Sequence, residues 1–200
     1  YSQFYEGITH DKAFKKAQKS VAAGTSLCYV HGDVSLYDTL IRMGKPFAFR
    51  YPLQDVQGNF GNPIRSDNHA ASRYVEMRQS ELAGYLFEGL KKNAVEKWVW
   101  NYDDTEQIPS VLPSPFFYNI VNGATGIGVG MATSIPTFNL REVNKALAKL
   151  VPNREAKFED IYCPIDFPTG ATIINEEQVK ASLKEGRGKS AIVRATLEYD

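Results

Sequence analysis

Cysteine is scarce. The 200 residues hold two, Cys28 and Cys163, far apart and in no metal-ligand spacing, which argues against a disulfide scaffold and points to a reduced, cytosolic chain. Net charge is missing as well. Lysine and arginine together number 23 and so do aspartate and glutamate, so no whole-chain field advertises nucleic acid, and a site for a polyanion must be a local patch. No run of about 18 apolar residues exists, which argues against a membrane-spanning helix. The opening Tyr1-Ser2-Gln3 has neither the basic nor the apolar region of a signal peptide. Internal repeats and low-complexity tracts are absent, and so is a dense acidic cluster of the kind that holds a catalytic divalent metal. The chain lacks an initiating methionine and stops in a strand-like run, residues 190–199, so we expect a piece of something longer.

What is present centres on His69-Ala70-Ala71-Ser72-Arg73-Tyr74. An arginine stands beside a tyrosine, just after a polar, glycine-containing loop over residues 58–68 and before a segment, residues 75–93, whose pattern predicts a helix. A phenol at such a junction can be exposed and aimed, and a neighbouring guanidinium offers a planar fork of donors suited to phosphate. Taken alone, the pair is equally compatible with a packed tyrosine whose hydroxyl is wet.

Along the chain, residues 11–23 predict a short helix, with Phe14, Ala17 and Val21 as its stripe and Lys12, Lys15, Lys16 and Lys19 as a basic side. The His31-Gly32-Asp33 corner leads into a second helix over residues 34–44, capped by Asp33 or Ser35, with Leu36, Leu40 and Met43 inward. Such a start presents unpaired amides to an anion. Residues 47–51 read as a strand or extended segment closed by Pro52, and residues 57–63 are dense in turn residues. Trp98 and Trp100 read as packing residues. Pro109, Pro113 and Pro115 break any helix there. Gly126, Gly128 and Gly130 alternate in an apolar-bounded stretch that matches neither the dinucleotide fingerprint nor a phosphate-binding P-loop. It reads either as a tightly packed turn or as a loop that carries backbone amides and Ile127 to a nucleic acid. Residues 139–150 predict a helix with an Asn139 cap and Leu140, Val143, Leu147 and Leu150 on one face. Beyond a boundary near residues 152–158, a strand at 172–174, a helix at 176–184, a basic turn at 186–189 and a strand at 191–197 complete an α+β chain.

Several blocks in this order resemble the DNA-breakage subunit of the bacterial-type IIA DNA topoisomerases, the gyrase A and topoisomerase IV A family, from about Lys12 onward. They are His31-Gly32-Asp33 with Tyr37-Asp38-Thr39; Gln57-Gly58-Asn59-Phe60-Gly61; Arg73-Tyr74; Asn101-Tyr102-Asp103; Val121-Asn122-Gly123 through Met131-Ala132-Thr133; Asp166-Phe167-Pro168-Thr169-Gly170; and Gly186-Arg187-Gly188-Lys189. The resemblance implies a winged-helix DNA-gate domain over residues 1–152 and the start of a tower domain over residues 153–200. It implies transient double-strand cleavage through a 5′-phosphotyrosyl link. Tyr74 would be the nucleophile, with Arg73 and His31 at the scissile phosphate. Ile127 would be an apolar wedge in the DNA, with Lys15, Lys16, Lys45 and Arg65 as further DNA contacts. Mg²⁺ and ATP would be held by a B-type partner subunit, the metal in its TOPRIM domain, within an A2B2 heterotetramer acting on duplex DNA in the cytoplasm at the nucleoid. This piece alone would be inactive.

The sequence also departs from the family pattern. Tyr29 and Val30 stand where the family has histidine and proline, and Leu27 stands where it has lysine. The phosphate pocket is therefore expected to be less basic, as in a divergent member, with Arg65 or His69 compensating. These same departures favour the alternative reading, a winged-helix module that binds DNA without cutting it. Val34 and Asp38 match the serine and acidic residue on which fluoroquinolones lean, and valine lacks the hydroxyl. Weak drug poisoning is expected.

Overall fold

A computed structural model describes residues 1–196. The chain is α+β and divides into two compact units, Tyr1–Phe117 and Tyr118–Asp200.

The first unit runs α1 (Ser2–Tyr5), β1 (Lys15–Lys16), α2 (Ala17–Leu27), α3 (Asp33–Met43), β2 (Gln54–Gln57), β3 (Glu76–Gln79), α4 (Glu81–Tyr85), α5 (Glu88–Lys91), β4 (Trp98–Trp100) and β5 (Gln107–Pro109). β3 is the central strand of an antiparallel sheet ordered β1-β3-β2. Its residues alternate, with Met77 and Gln79 buried and Glu76 and Arg78 half-buried. That period of two overturns the single helix expected over residues 75–93. Helix begins only after Ser80, whose Oγ accepts from Ala83 N at 3.2 Å, and it comes as two short pieces, α4 and α5. The same sheet corrects the start of the first long helix. Lys15 and Lys16 pair with Met77 and Glu76 in the ladder, so α2 starts at Ala17 and extends past the expected end to Leu27.

α2 and α3 lie on this sheet through a core of Ala17, Val21, Tyr37, Leu40, Ile41, Phe60, Val75 and Met77. A Cβ at Gly24 would fall 2.5 Å from Leu36 Cδ2, so glycine lets the two helices close. α3 falls where expected and packs Leu36 and Leu40 inward as expected, with Tyr37 and Ile41 buried besides and Met43 only half-buried. Its N-cap is Gly32, and neither Asp33 nor Ser35 caps it; Ser35 Oγ donates to Gly32 O at 2.8 Å. Residues 47–51 form no strand. Ala48 N and Phe49 N both donate to Lys45 O at 3.0 Å, a turn that delays the strand to Gln54. A smaller cluster joins Leu86, Phe87 and Leu90 to Phe4, whose ring stacks on Phe87 at 4.8 Å. Trp98 and Trp100 are exposed and not core, because the β4–β5 ribbon half-buries Val99, Ile108 and Pro109 and not the indoles; Trp98 still packs edge-on against Tyr1, 6.4 Å between centroids.

The second unit runs α6 (Tyr118–Val121), β6 (Ala124–Gly128), β7 (Met131–Ile135), α7 (Leu140–Leu150), α8 (Phe158–Ile161), β8 (Thr172–Ile173), α9 (Glu176–Glu185) and β9 (Val193–Arg194). α7 is capped as its sequence predicts, Asn139 Oδ1 accepting from Arg141 N at 3.0 Å. α9 ends on Gly186 in the left-handed conformation, φ 69°. β8 pairs with β9 through Thr172 with Arg194 and Ile173 with Val193; the expected strand to residue 197, and the strand-like run to residue 199, continue outside the described residues. The alternating glycines form neither a packed turn nor an irregular loop. β6 and β7 make a regular antiparallel hairpin, nearly all of it exposed, and a Cβ at Gly126 or Gly130 would meet no atom within 4 Å.

Candidate functional site

Ser72 to Tyr74 form a turn in which Tyr74 N donates to Ala71 O at 2.9 Å. The first two amides of α2, Ala17 N and Gln18 N, donate to Val75 O at 3.0 Å and Ser72 O at 3.2 Å. The turn is thereby fastened to the helix start through backbone on both sides of the Arg-Tyr pair. Val75 is fully buried, while Tyr74 keeps 65% of its surface exposed. The phenol therefore projects from a fixed base, at a loop–strand junction and not the loop–helix junction expected. The Arg73 guanidinium carbon lies 4.8 Å from the Tyr74 ring centroid, which places a cation over the phenol.

The loop before the pair is tied to α3. Tyr37 Oη donates to Ala70 O, and His69 Nε2 stands 3.2 Å from Asp38 Oδ1. The Tyr37 and His69 rings meet edge-on, 5.1 Å between centroids. Burial first, and then the Asp38 charge, push the Tyr37 phenol above its usual value. Further out, Asn62 Oδ1 accepts from Ile64 N at 2.8 Å and Arg65 N at 3.2 Å, and Asn62 pairs with Asp67, so Arg65 sits on the exposed tip of a small ordered hairpin.

His31 stands exposed before α3, its ring edge-on to Tyr29 at 5.3 Å. The Tyr29 hydroxyl lies 3.0 Å from Ser35 Oγ. No side chain caps the start of α3, which leaves first-turn amides for an outside acceptor. Leu27 is buried and contributes nothing polar there. Val34 is exposed, and Asp38 is engaged by His69. Among the described residues no hydrogen bond or ion pair joins His31 to Tyr74. The structure ties His69 and Ala70 to the middle of α3, fastens the Arg73-Tyr74 turn to the start of α2, and places His31 at the head of α3.

The remaining expected contacts are spread out. Lys15 and Lys16 lie on a strand and not on a helix face, and Lys16 pairs with Glu76 at 3.0 Å. Lys45 Nζ stands 5.7 Å from the Phe47 ring centroid. Ile127, in the second unit, is 96% exposed on the β6–β7 hairpin opposite Ala132. Among the described residues no group of three or more His, Cys, Asp or Glu is placed to hold a metal ion, and no helix is long and apolar enough to cross a membrane. The tie of Tyr37 and Asp38 to residues 69 and 70 was not read from the sequence. The helical spacing of Tyr37, Leu40 and Ile41 would have revealed Tyr37 as inward-facing. Nothing local announces the His69–Asp38 pair.

Over residues 1–200 the chain matches the family described as the A subunit of DNA gyrase/topoisomerase IV. It is 42% identical over 203 aligned residues to the DNA gyrase A subunit of Mycoplasma pneumoniae, covering 100% of this chain and 24% of that protein. The DNA gyrase A subunit of Thermotoga maritima is likewise 42% identical, over 100% of this chain and 25% of that protein. The A subunit of DNA topoisomerase 4 from Streptococcus pyogenes serotype M1 is 39% identical, over 100% of this chain and 24% of that protein. The chain thus spans about a quarter of the length of these curated relatives.

Proposed function

The chain belongs to the family of DNA gyrase/topoisomerase IV A subunits, and on that premise we propose that it carries the DNA-breaking tyrosine of a type IIA topoisomerase. Residues 1–152 are the winged-helix DNA gate, and residues 153–200 begin the tower. The supporting observation is the exposed Tyr74 phenol, held on a fixed turn with the Arg73 guanidinium 4.8 Å from its ring.

Tyr74 Oη attacks a backbone phosphorus. The bond from phosphorus to the 3′ oxygen breaks as the bond to Oη forms, leaving a 5′-phosphotyrosyl link and a free 3′-hydroxyl. The phenol proton leaves, and the departing 3′ oxygen gains one. An ordinary phenol has a pKa of about 10, so the attack depends on stabilising the phenolate form at neutral pH. Arg73 supplies a cation to both the phenol and the phosphate as charge builds in the transition state. His31, exposed at the open start of α3, serves beside the scissile phosphate either as a hydrogen-bond donor to its oxygens or as the acceptor of the phenol proton. Lys15, Lys16, Lys45 and Arg65 contact the backbone, and Ile127 enters the duplex between base pairs. Because the phosphodiester is exchanged and not hydrolysed, resealing needs no high-energy cofactor. A partner's TOPRIM domain would hold the Mg²⁺ that would neutralise charge at the phosphate, and the same partner would bind the ATP used for strand passage. The working assembly is two A-type and two B-type chains, in the cytoplasm at the nucleoid. This segment alone does not cleave.

The test is covalent capture. The full-length protein, reconstituted with its B-type partner, is incubated with supercoiled DNA and Mg²⁺, then denatured. Protein-linked linear DNA is expected from the wild type and none from Tyr74→Phe. Tight DNA binding with no protein-linked product from the wild type would instead identify a module that binds without cutting, the reading that the buried Leu27 and the Ser35-bound Tyr29 favour.

A further inference from the structure

We propose that His69 is a positioning residue for Tyr74: held between the Asp38 carboxylate and the Tyr37 ring, it ties the turn that carries the phenol to α3. The inference rests on Tyr74 being the nucleophile. His69 Nε2 lies 3.2 Å from Asp38 Oδ1, and its ring packs edge-on against Tyr37 at 5.1 Å and 86°. The next residue is held independently, Ala70 O accepting from Tyr37 Oη and Ala70 N donating to Asn59 O at 3.0 Å. One turn later, Tyr74 N donates to Ala71 O. The Arg-Tyr turn is therefore fixed from two directions. On the α2 side the bonds are all backbone. On the α3 side they run through two adjacent side chains, Tyr37 and Asp38, of which the Asp38 tie acts through residue 69.

The exposures support a structural linkage over a surface pair. The His69 side chain is 28% exposed and its ring packs on the buried Tyr37, while the Asp38 carboxylate is 59% exposed, so the ring contact is the desolvated part of the tie and the ion pair the wet part. The same geometry argues against His69 replacing a missing phosphate cation, because its Nε2 faces the Asp38 carboxylate and its Nδ1 lies 3.2 Å from Ala70 O. Misplacing a reacting group by about 1 Å can cost two orders of magnitude in rate, so a modest tie at residue 69 has leverage on chemistry even where it adds little stability.

The experiment uses the full-length protein reconstituted with its partner, and measures single-turnover cleavage of a duplex alongside DNA affinity. His69→Phe keeps a ring against Tyr37 and removes the partner of Asp38; an about fivefold lower cleavage rate with unchanged DNA affinity is expected. His69→Gln retains a donor for Asp38 and should restore the rate to within about twofold of wild type. Asp38→Asn should slow cleavage as His69→Phe does, and the double variant should be no slower than either single. Wild-type cleavage by His69→Phe, additive losses in the double variant, or a loss of affinity in place of rate would each overturn the proposal, the last by making His69 a DNA contact. If His69→Phe melts before assembly, the His69→Gln and Asp38→Asn pair decides. Tyr74→Phe separates the two levels. Cleavage that survives it removes the nucleophile reading itself, while an inactive Tyr74→Phe beside an unimpaired His69→Phe removes only this inference.

Discussion

Gln3 and Gln54 hydrogen-bond each other twice, Gln3 Nε2 to Gln54 Oε1 at 2.9 Å and Gln54 Nε2 to Gln3 Oε1 at 2.7 Å, across 51 residues of chain and in a buried setting. Gln3 Nε2 also donates to Ser20 Oγ at 2.9 Å, so α1, α2 and β2 meet at one amide pair. Gln54→Leu leaves the Gln3 amide with a buried acceptor and one donor unmatched. Chemical denaturation should show a loss of about 1–3 kcal/mol. Replacing both glutamines with apolar residues should cost less than the single change, since no amide is then stranded and what loses its partner is the smaller Ser20 hydroxyl.

Arg73→Lys tests shape apart from charge. Lysine keeps the positive charge but presents one point donor where arginine presents a planar fork. If Arg73 steadies the phosphate in the transition state, rapid-quench cleavage should slow by about 10²-fold with little change in DNA affinity. Equal loss of affinity and rate would reduce Arg73 to a backbone contact.

Val34 is exposed on the first turn of α3 and offers no hydroxyl, while Asp38 is already engaged by His69. Fluoroquinolones should stabilise few cleavage complexes in the reconstituted wild type, and Val34→Ser should raise the number. Equal counts in both proteins would end the idea.

Tyr118 carries a pH dependence of defined sign. Burial pushes its phenol up to about 12, with a hydrogen bond from Asn122 acting the other way. The folded state holds the proton that the unfolded chain releases near the ordinary phenol value of 10, so this contribution to stability is complete below that value and is lost as pH rises through about 12. Thermal melts of the wild type should fall over that interval, and Tyr118→Phe should flatten the fall.

Gly123 stands at φ +71°, and a Cβ there would lie 2.6 Å from Ile135 O. The clash is with backbone, so no rotamer change relieves it. Gly123→Ala should cost about 1–3 kcal/mol and should loosen the base of the β6–β7 hairpin, visible as faster amide exchange at Ala124 and Ile135.

The helices α3 and α7 are legible in the sequence because each carries several turns of apolar spacing; α7 also starts at its expected cap, Asn139, whereas α3 starts at Gly32 and not at Asp33 or Ser35. The strand β3 is not legible. It has four residues, and Glu76-Met77-Arg78-Gln79 runs directly into helix-favouring residues, so its state is decided by Lys15-Lys16 and residues 54–57 pairing on either side. Local periodicity cannot report a partner that lies far along the chain. The exposed tryptophans fail for a related reason: hydrophobicity predicts burial only where a layer covers the ring, and Trp98 finds only partial cover, the edge of the Tyr1 ring at 6.4 Å. At the site, Tyr74 stands out through the order of surrounding motifs and not through its own chemistry. The His69–Asp38 pair and the Tyr37–Ala70 bond, which spans 33 residues, depend on the fold bringing α3 beside the turn.

The β6–β7 hairpin has a further consequence. Its strands bury almost nothing, and Ile127, Val129 and Met131 all face solvent. Cross-strand bonds keep such a ribbon paired, yet no underlying layer dictates its curvature, since an isolated two-stranded ribbon draws little support from packing. Its glycines also leave it free of bulky neighbours that would resist flexing. The ribbon therefore behaves like a leaf spring: anchored at Gly123 and Ile135, it takes its final bend from whatever surface its apolar tip is pressed against.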